Sequence, residues 1–422
     1  MIDIRQPTEL LECLEQLPNE RILLSYDQVQ VTATRLCEWV RVHRQQMLDS
    51  QECILVSGEP ISTIVRLLAM DGRVERVFLV PQSLAESEVF VSLCDQFTLM
   101  KDRAAPNGTG WLLATSGTTG TPKLIQHSSE SLTRSLKREY NQGAEYRWGL
   151  VYEPFRFAGL QVLLQSLLAG SELVICHHLP FEQQLERLVE SRVNALSATP
   201  TFWRKVLFHG GLNSLTFKQI TLGGEAVDQT LLNALARQFP QARITHIYAA
   251  TETGVGFSIA DGLEGFPASW LLHGQVDQQG AINLLQTQTG TLGIKLPGQI
   301  NVIDTGDLIT QRGDRIVFLG RQSGAINVGG NKVIPEEVEQ VIRLVPGVAE
   351  VRVVGKGSSL VGQLVSCEVL PTSDAIAHEQ LKHAILQQCR LLLPRYKVPA
   401  LIRFTTELEI NATGKLVRKS DG

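Results

Sequence analysis

WLLATSGTTGTPK, from Trp111 to Lys123, runs an apolar strand candidate straight into a loop of hydroxyls and glycines. Thr115, Ser116, Gly117, Thr118, Thr119, Gly120 and Thr121 crowd backbone N–H groups and side-chain hydroxyls together, and Lys123 adds a positive charge. A loop of that kind can wrap phosphate oxygens. Leu132, Leu136 and Tyr140 follow at four-residue spacing and predict a helix face. The GxxxxGK[ST] pattern of a Walker loop is absent, so a different phosphate-binding architecture is expected. A flexible polar linker has the same composition, but linkers are uncommon between an apolar strand and a helix.

Strand and helix candidates alternate on both sides of this loop, which predicts an α/β protein. Gln219 to Leu222 and Arg243 to Tyr248 are strand candidates, and Asp228 to Phe239 is a helix candidate with Asp228 as N-cap. The apolar stretch Gly159 to Cys176 is broken by Gln161, Gln165, Ser166 and Glu172 and is expected in the core. No window of about 18 uninterrupted apolar residues exists, so no transmembrane helix and no membrane partner are expected. The 43% hydrophobic and 19% charged fractions are those of a globular protein, and a net charge of -4 gives no electrostatic reason for nucleic acid as a partner. Seven scattered cysteines without a CxxC pair disfavour a disulfide or metal framework, and the first residues lack a secretion pattern. A cytoplasmic location is expected.

GRQSGAINVGGN, from Gly320 to Asn331, packs four glycines into a short span. Beyond it a helix is predicted from Pro335, with Val338, Val341 and Ile342 on one face. Strands are predicted over Val348 to Val354, Gln363 to Leu370 and Ala400 to Phe404, and a helix from about Ala375 to Leu393. The division expected is a large N-terminal multi-sheet domain, 1–321, and a small α+β domain, 322–422, joined by a hinge near Gln322 to Gly324.

Five motifs in order resemble the adenylate-forming enzymes, the family of acyl- and aryl-CoA synthetases, firefly luciferase and peptide-synthetase adenylation domains. They are TSGTTGTPK; GGEAV at Gly223 to Val227; YAATETG at Tyr248 to Gly254; TGDL at Thr305 to Leu308 with GRQSGAINVGGNKVIPEEVE; and NATGKLVRK at Asn411 to Lys419. The resemblance spans most of the chain from residue 115 onward. It implies an adenylating body with a mobile C-terminal cap, and ATP, Mg²⁺ and CoA as partners of a carboxylic acid substrate.

The chemistry such a site must perform sets one anion against another, so charge neutralisation and positioning dominate. Glu252 is the candidate Mg²⁺ ligand. Thr251 is expected to hydrogen-bond the α-phosphate. The resemblance gives the ATP contacts to Thr115 to Gly120, Lys123, Gly223, Gly224, Glu225, Tyr248, Asp307 and Arg321, with Asp307 and Arg321 on the ribose and Tyr248 against the adenine. Lys415 is expected to bridge the incoming carboxylate and the α-phosphate once the cap closes. In a second pose the cap rotates on a hinge at Ser323 and brings Gly329 and Gly330 beside a pantetheine channel. Each residue also has a plain reading: a solvated loop acid for Glu252, a turn-forming Asp for Asp307, a surface cation for Arg321 and Lys415, a β-turn for the glycines.

Three positions depart from the family pattern. Ala249 stands where Gly is usual before Thr-Glu. Ser323 replaces the common hinge Asp or Lys, as in some succinylbenzoate-CoA ligases. Arg156, in EPFRFAG from Glu153 to Gly159, takes the place of a histidine in the acyl pocket, which Phe157 and Gly159 are also expected to line. Arg156 suits an acidic substrate tail or a CoA phosphate, or a structural role. The stretch before the phosphate loop and that from Gly254 to Thr305 are short for the family, so part of the substrate scaffold is expected to be trimmed.

The leading expectation is a carboxylate-CoA ligase for an aromatic or medium-sized acid such as o-succinylbenzoate, a reaction of menaquinone or phylloquinone biosynthesis. A stand-alone adenylating enzyme that loads a phosphopantetheinyl carrier protein is the nearest alternative. A nucleotide-binding protein that kept the fold and lost catalysis is the alternative from another class. The acid and the oligomeric state stay open.

Overall fold

The computed structural model describes residues 9–47, 52–100, 108–115, 122–134, 136, 143–271, 282–296, 300–358, 362–372, 377–409 and 415–417. Strands Glu52–Val56, Arg76–Val80 and Gly110–Ala114 pair in parallel, and Leu124–Ser128 closes this sheet antiparallel to Gly110–Ala114. Arg76–Val80 and Gly110–Ala114 are buried at every position, as parallel strands covered on both faces should be. The phosphate-loop candidate therefore leads into a strand before any helix, a correction to the sequence expectation. The helix that follows, Ser129–Thr133, is short and carries a Ser128–Ser131 capping box; Leu136 lies beyond it and Tyr140 outside the described residues.

A second sheet has eight strands in the spatial order Gly254–Ile259, Arg243–Ala250, Gln219–Gly223, Ala195–Ala198, Arg147–Leu150, Glu172–Ile175, Ile22–Tyr26 and Val29–Thr32. Its inner pairs are parallel and the pair at each edge is antiparallel. The apolar stretch from Gly159 forms most of helix Phe157–Ala169 and strand Glu172–Ile175, both largely buried, as expected. Helix Gln229–Gln238 starts on Asp228, which accepts from the Leu231 amide at 2.9 Å.

A five-stranded antiparallel sheet contains Ile303–Arg312 and Arg315–Arg321. Asp307 lies inside the first of these strands, opposite Arg321 on the second.

The C-terminal part has its own sheet of Asn331–Val333, Ile326–Val328, Gly362–Pro371 and Val348–Ser358, with Leu401–Phe404 added in parallel. Helices Pro335–Arg343 and His378–Leu392 cover it around a separate core that includes Val338, Ile342, Val351, Cys367 and Leu381. The architecture is mixed α/β with a large N-terminal part and a smaller C-terminal one. No helix among the described residues is long and apolar enough to cross a membrane.

Candidate active site

Thr115 and Lys123 close the base of the phosphate-loop candidate. The Thr115 amide donates to the Lys123 carbonyl at 2.8 Å, and the Lys123 amide donates to Thr115 Oγ1 at 3.1 Å. Ser116, Gly117, Thr118, Thr119 and Gly120 lie outside the described residues. Gln96, on helix Phe90–Leu99, braces the same strand by donating to the Pro122 carbonyl and accepting from the Leu124 amide, at 3.2 and 3.3 Å. Nothing in the sequence flags Gln96, because a lone amide on an amphipathic helix has no pattern.

The strand Gln219–Gly223 ends in Gly224, whose φ of +83° is left-handed and suits glycine. A Cβ placed on Gly224 would lie 3.4 Å from Lys415 Cε, 3.8 Å from Thr199 Cγ2 and 3.9 Å from Lys415 Nζ. The Lys415 side chain, far away in sequence, thus lies directly against the GGE loop. Its segment is held by Arg352, whose Nη1 donates to the Val417 carbonyl at 2.7 Å, and by the Val417 amide on the Glu409 carbonyl at 3.0 Å. Glu225 has protein partners of its own. Its two oxygens accept from the Thr201 amide and hydroxyl, at 2.9 and 3.0 Å, so the carboxylate ties the loop to the first turn of helix Pro200–His209.

Tyr248, Asp307 and Arg321 come together. Tyr248 donates its hydroxyl to Asp307 Oδ2 at 2.6 Å, and Arg321 Nε donates to Asp307 Oδ1 at 3.0 Å. Burial, then the Asp307 charge, raises the Tyr248 pKa, so the phenol stays a neutral donor. Each Asp307 oxygen already has one protein donor and keeps a lone pair for a further one. The Tyr248 ring lies parallel to Phe318 and Phe257, with centroids 5.1 and 5.2 Å away. Tyr248 is thus part of an aromatic stack.

Thr251 and Glu252 sit in the turn between strands Arg243–Ala250 and Gly254–Ile259, and Glu252 is exposed. His127, which the sequence reading missed, is buried beside them, its ring 5.6 Å from that of Phe157. Burial lowers its pKa to about 4, with the Thr251 backbone opposing the shift, and Nε2 makes no well-formed hydrogen bond. Arg156 stands just before helix Phe157–Ala169 with its Nε buried and unpaired. Burial lowers the Arg156 pKa and neighbouring Glu153 opposes this; burial likewise raises the Glu153 pKa. Gly159 has a packing reason to be glycine, since a Cβ would meet the Glu153 carbonyl oxygen at 2.1 Å.

Ser323 lies in the short 3₁₀ turn Gln322–Gly324. Gly329 and Gly330, with φ of +56° and +84°, make the exposed two-residue turn between strands Ile326–Val328 and Asn331–Val333. Among the described residues no group of three or more His, Cys, Asp or Glu side chains is arranged to hold a metal. A Mg²⁺ ion bound through substrate phosphates fits a single exposed carboxylate such as Glu252, because Mg²⁺ keeps several waters and takes only one or two carboxylates.

The described residues thus form a mixed α/β molecule in two parts, with a lysine of the smaller part set against a glycine loop of the larger. Residues 14–333 match the family model described as AMP-binding enzyme, and residues 337–415 match that of the AMP-binding enzyme C-terminal domain. The chain belongs to the AMP-binding enzyme family. It is 27% identical to human mitochondrial acyl-coenzyme A synthetase ACSM1 over 72% of this chain, and spans 59% of that relative's length. It is 26% identical to the 2-succinylbenzoate--CoA ligase of Lactococcus lactis subsp. lactis, over 73% of this chain and 69% of the relative. Among solved structures, o-succinylbenzoate CoA synthetase (MenE) from Bacillus subtilis, in complex with the acyl-adenylate intermediate OSB-AMP, matches with TM-score 0.70 and 20% identity over 98% of this chain and 97% of that one. The anthranilate CoA ligase AuaEII, in complex with anthranoyl-AMP, matches with TM-score 0.72 and 16% identity over 97% and 96%. These likenesses establish the fold.

Proposed function

We propose that the chain is an ATP-dependent carboxylate-CoA ligase that works through an acyl-adenylate, with an aromatic acid such as o-succinylbenzoate as substrate. The observation that carries this reading is the Lys415 side chain lying against Gly224. A carboxylate oxygen attacks the α-phosphorus of ATP, the bond to pyrophosphate breaks, and pyrophosphate leaves. Lys415 supplies the positive charge between the two anions. Thr251 hydrogen-bonds the α-phosphate, Thr115 to Gly120 with Lys123 wrap the remaining phosphates, and Asp307 with Arg321 holds the ribose. Glu252 would hold Mg²⁺, which neutralises phosphate charge when bound. The CoA sulfur then attacks the acyl carbonyl, its proton goes to solvent, and AMP leaves.

In this reading residues 322–422 form a cap that turns on Ser323, and Gly329 and Gly330 then line the path of the pantetheine arm. Arg156, Phe157 and Gly159 border the acyl group. The similarity to the 2-succinylbenzoate--CoA ligase supports an aromatic acid, and a cytoplasmic enzyme is part of the same reading. Surfactin synthase subunit 1 of Bacillus subtilis is 25% identical over 80% of this chain, which keeps a carrier-protein acceptor as the second reading. Pyrophosphate release across a panel of carboxylic acids tests the proposal, followed by offering CoA or a phosphopantetheinyl carrier to the trapped adenylate. Absence of acid-dependent pyrophosphate release across the panel sinks it, and transfer to the carrier alone selects the second reading.

A further inference from the structure

A buried charge cluster joins the two parts of the molecule. On the larger part, Arg204 of helix Pro200–His209 pairs with Asp228, the N-cap of helix Gln229–Gln238. On the smaller part, Arg343 pairs with Glu350 at 2.6 Å and with Glu339 at 3.3 Å. The two groups meet where Arg204 Nη1 lies 3.7 Å from Glu350 Oε2, a buried oxygen that makes no hydrogen bond. Burial would lower the Arg343 pKa, but Glu350, Glu339 and Asp228 together hold it above its ordinary value, so the cluster stays charged.

Two features bear on how this contact opens and closes. Each side keeps its own internal pair when separated, so opening leaves no cation or anion of the cluster without a partner. The smaller side also carries two acids against one arginine, and the excess negative charge faces Arg204. The contact is also tied to Lys415 at both ends. Glu350 lies two residues from Arg352 on strand Val348–Ser358, and Arg352 holds the Val417 carbonyl. The helix that carries Arg204 begins after Thr199, whose methyl lies beside the same Gly224 position.

We propose that the Arg204–Glu350 pair is a positioning contact that holds the smaller part in the pose that places Lys415 against Gly224. The proposal rests on the ligase reading for its kinetic consequence but not for its structural one. Arg204→Met and, separately, the near-isosteric Glu350→Gln provide the test, with Arg204→Lys as the conservative rescue. Acid-dependent pyrophosphate exchange should fall about tenfold in the first two variants and recover substantially in the third. Thioester formation from supplied adenylate should stay within about twofold of the parent. Small-angle scattering of the ligand-free chain should show a larger radius for the first two variants than for the parent. Equal loss in both half-reactions, or an unchanged radius in both variants, overturns the proposal. An enlarged radius in a chain whose parent supports no exchange with any acid upholds the contact and removes the ligase reading.

Discussion

Asp307 and Arg321 stand opposite each other across an antiparallel strand pair, and Arg321 Nε donates to Asp307 Oδ1 at 3.0 Å. The pairing places a carboxylate and a guanidinium side by side before any nucleotide arrives, with the Tyr248 hydroxyl fixing the other carboxylate oxygen. The acceptor is thereby preorganised, and little side-chain entropy remains to be lost on binding.

Asp307→Asn separates binding from stability. The Arg321 side chain is 42% exposed, so the ion pair adds no more than about 1 kcal/mol to folding. The melting temperature should move little, while the KM for ATP rises by about tenfold or more through loss of a charged acceptor. Calorimetry alongside ATP kinetics checks this; a large fall in melting temperature with unchanged ATP KM would assign Asp307 to the fold instead.

What is legible in the sequence is what leaves a local pattern. Trp111 to Ala114 is an apolar run bounded by turn residues, Ile220 and Leu222 alternate with polar residues, and Pro335 marks a helix start, so these elements are found where expected. Leu124–Ser128 is not, because its mixed pattern becomes a strand only through pairing with Gly110–Ala114. The same division holds at the site. Lys415 and Gly224 are each legible from their motifs, whereas their proximity is known only from the fold. Arg204, Glu350, Arg352 and Gln96 are single polar residues on ordinary elements, and tertiary packing alone gives them partners.

Arg156→Leu should change which acids are accepted. The guanidinium is largely buried with Nε unpaired, a costly arrangement unless a substrate or the Glu153 charge compensates it. Acids with a second carboxylate should lose the most, by about tenfold in kcat/KM relative to neutral aromatic acids, with ATP KM within about twofold. An unchanged acid profile returns Arg156 to a structural role.

His127 and His177 make stability depend on acidity. Burial lowers both pKa values to about 4 from an ordinary 6.5. As pH falls below 6.5 the unfolded chain takes up these protons first, so stability is present above that value and is lost on the way down through about 4. Each histidine contributes a slope of at most about 1.4 kcal/mol per pH unit. His127→Gln should remove one such slope, measured as the difference in urea unfolding free energy between about pH 7 and about pH 5. A variant with the parent's full slope would show that His127 is already solvated in the folded chain.

Lys415→Ala tests the charge, and Gly224→Ala tests the space it occupies. Without the ammonium, two anions must approach with one fewer neutralising group, and adenylation should fall by about a hundredfold or more. Thioester formation from supplied adenylate, which needs no such bridge, should fall far less. Gly224→Ala keeps the charge but imposes a side chain where φ is +83° and puts a methyl 3.4 Å from Lys415 Cε. It should cost about 1 kcal/mol in stability and slow adenylation through strain in the loop against which the lysine packs. Because both changes act at one contact, the double variant should be barely slower in adenylation than Lys415→Ala alone. Fully multiplicative losses would mean that the two residues act independently and that their proximity has no part in the chemistry.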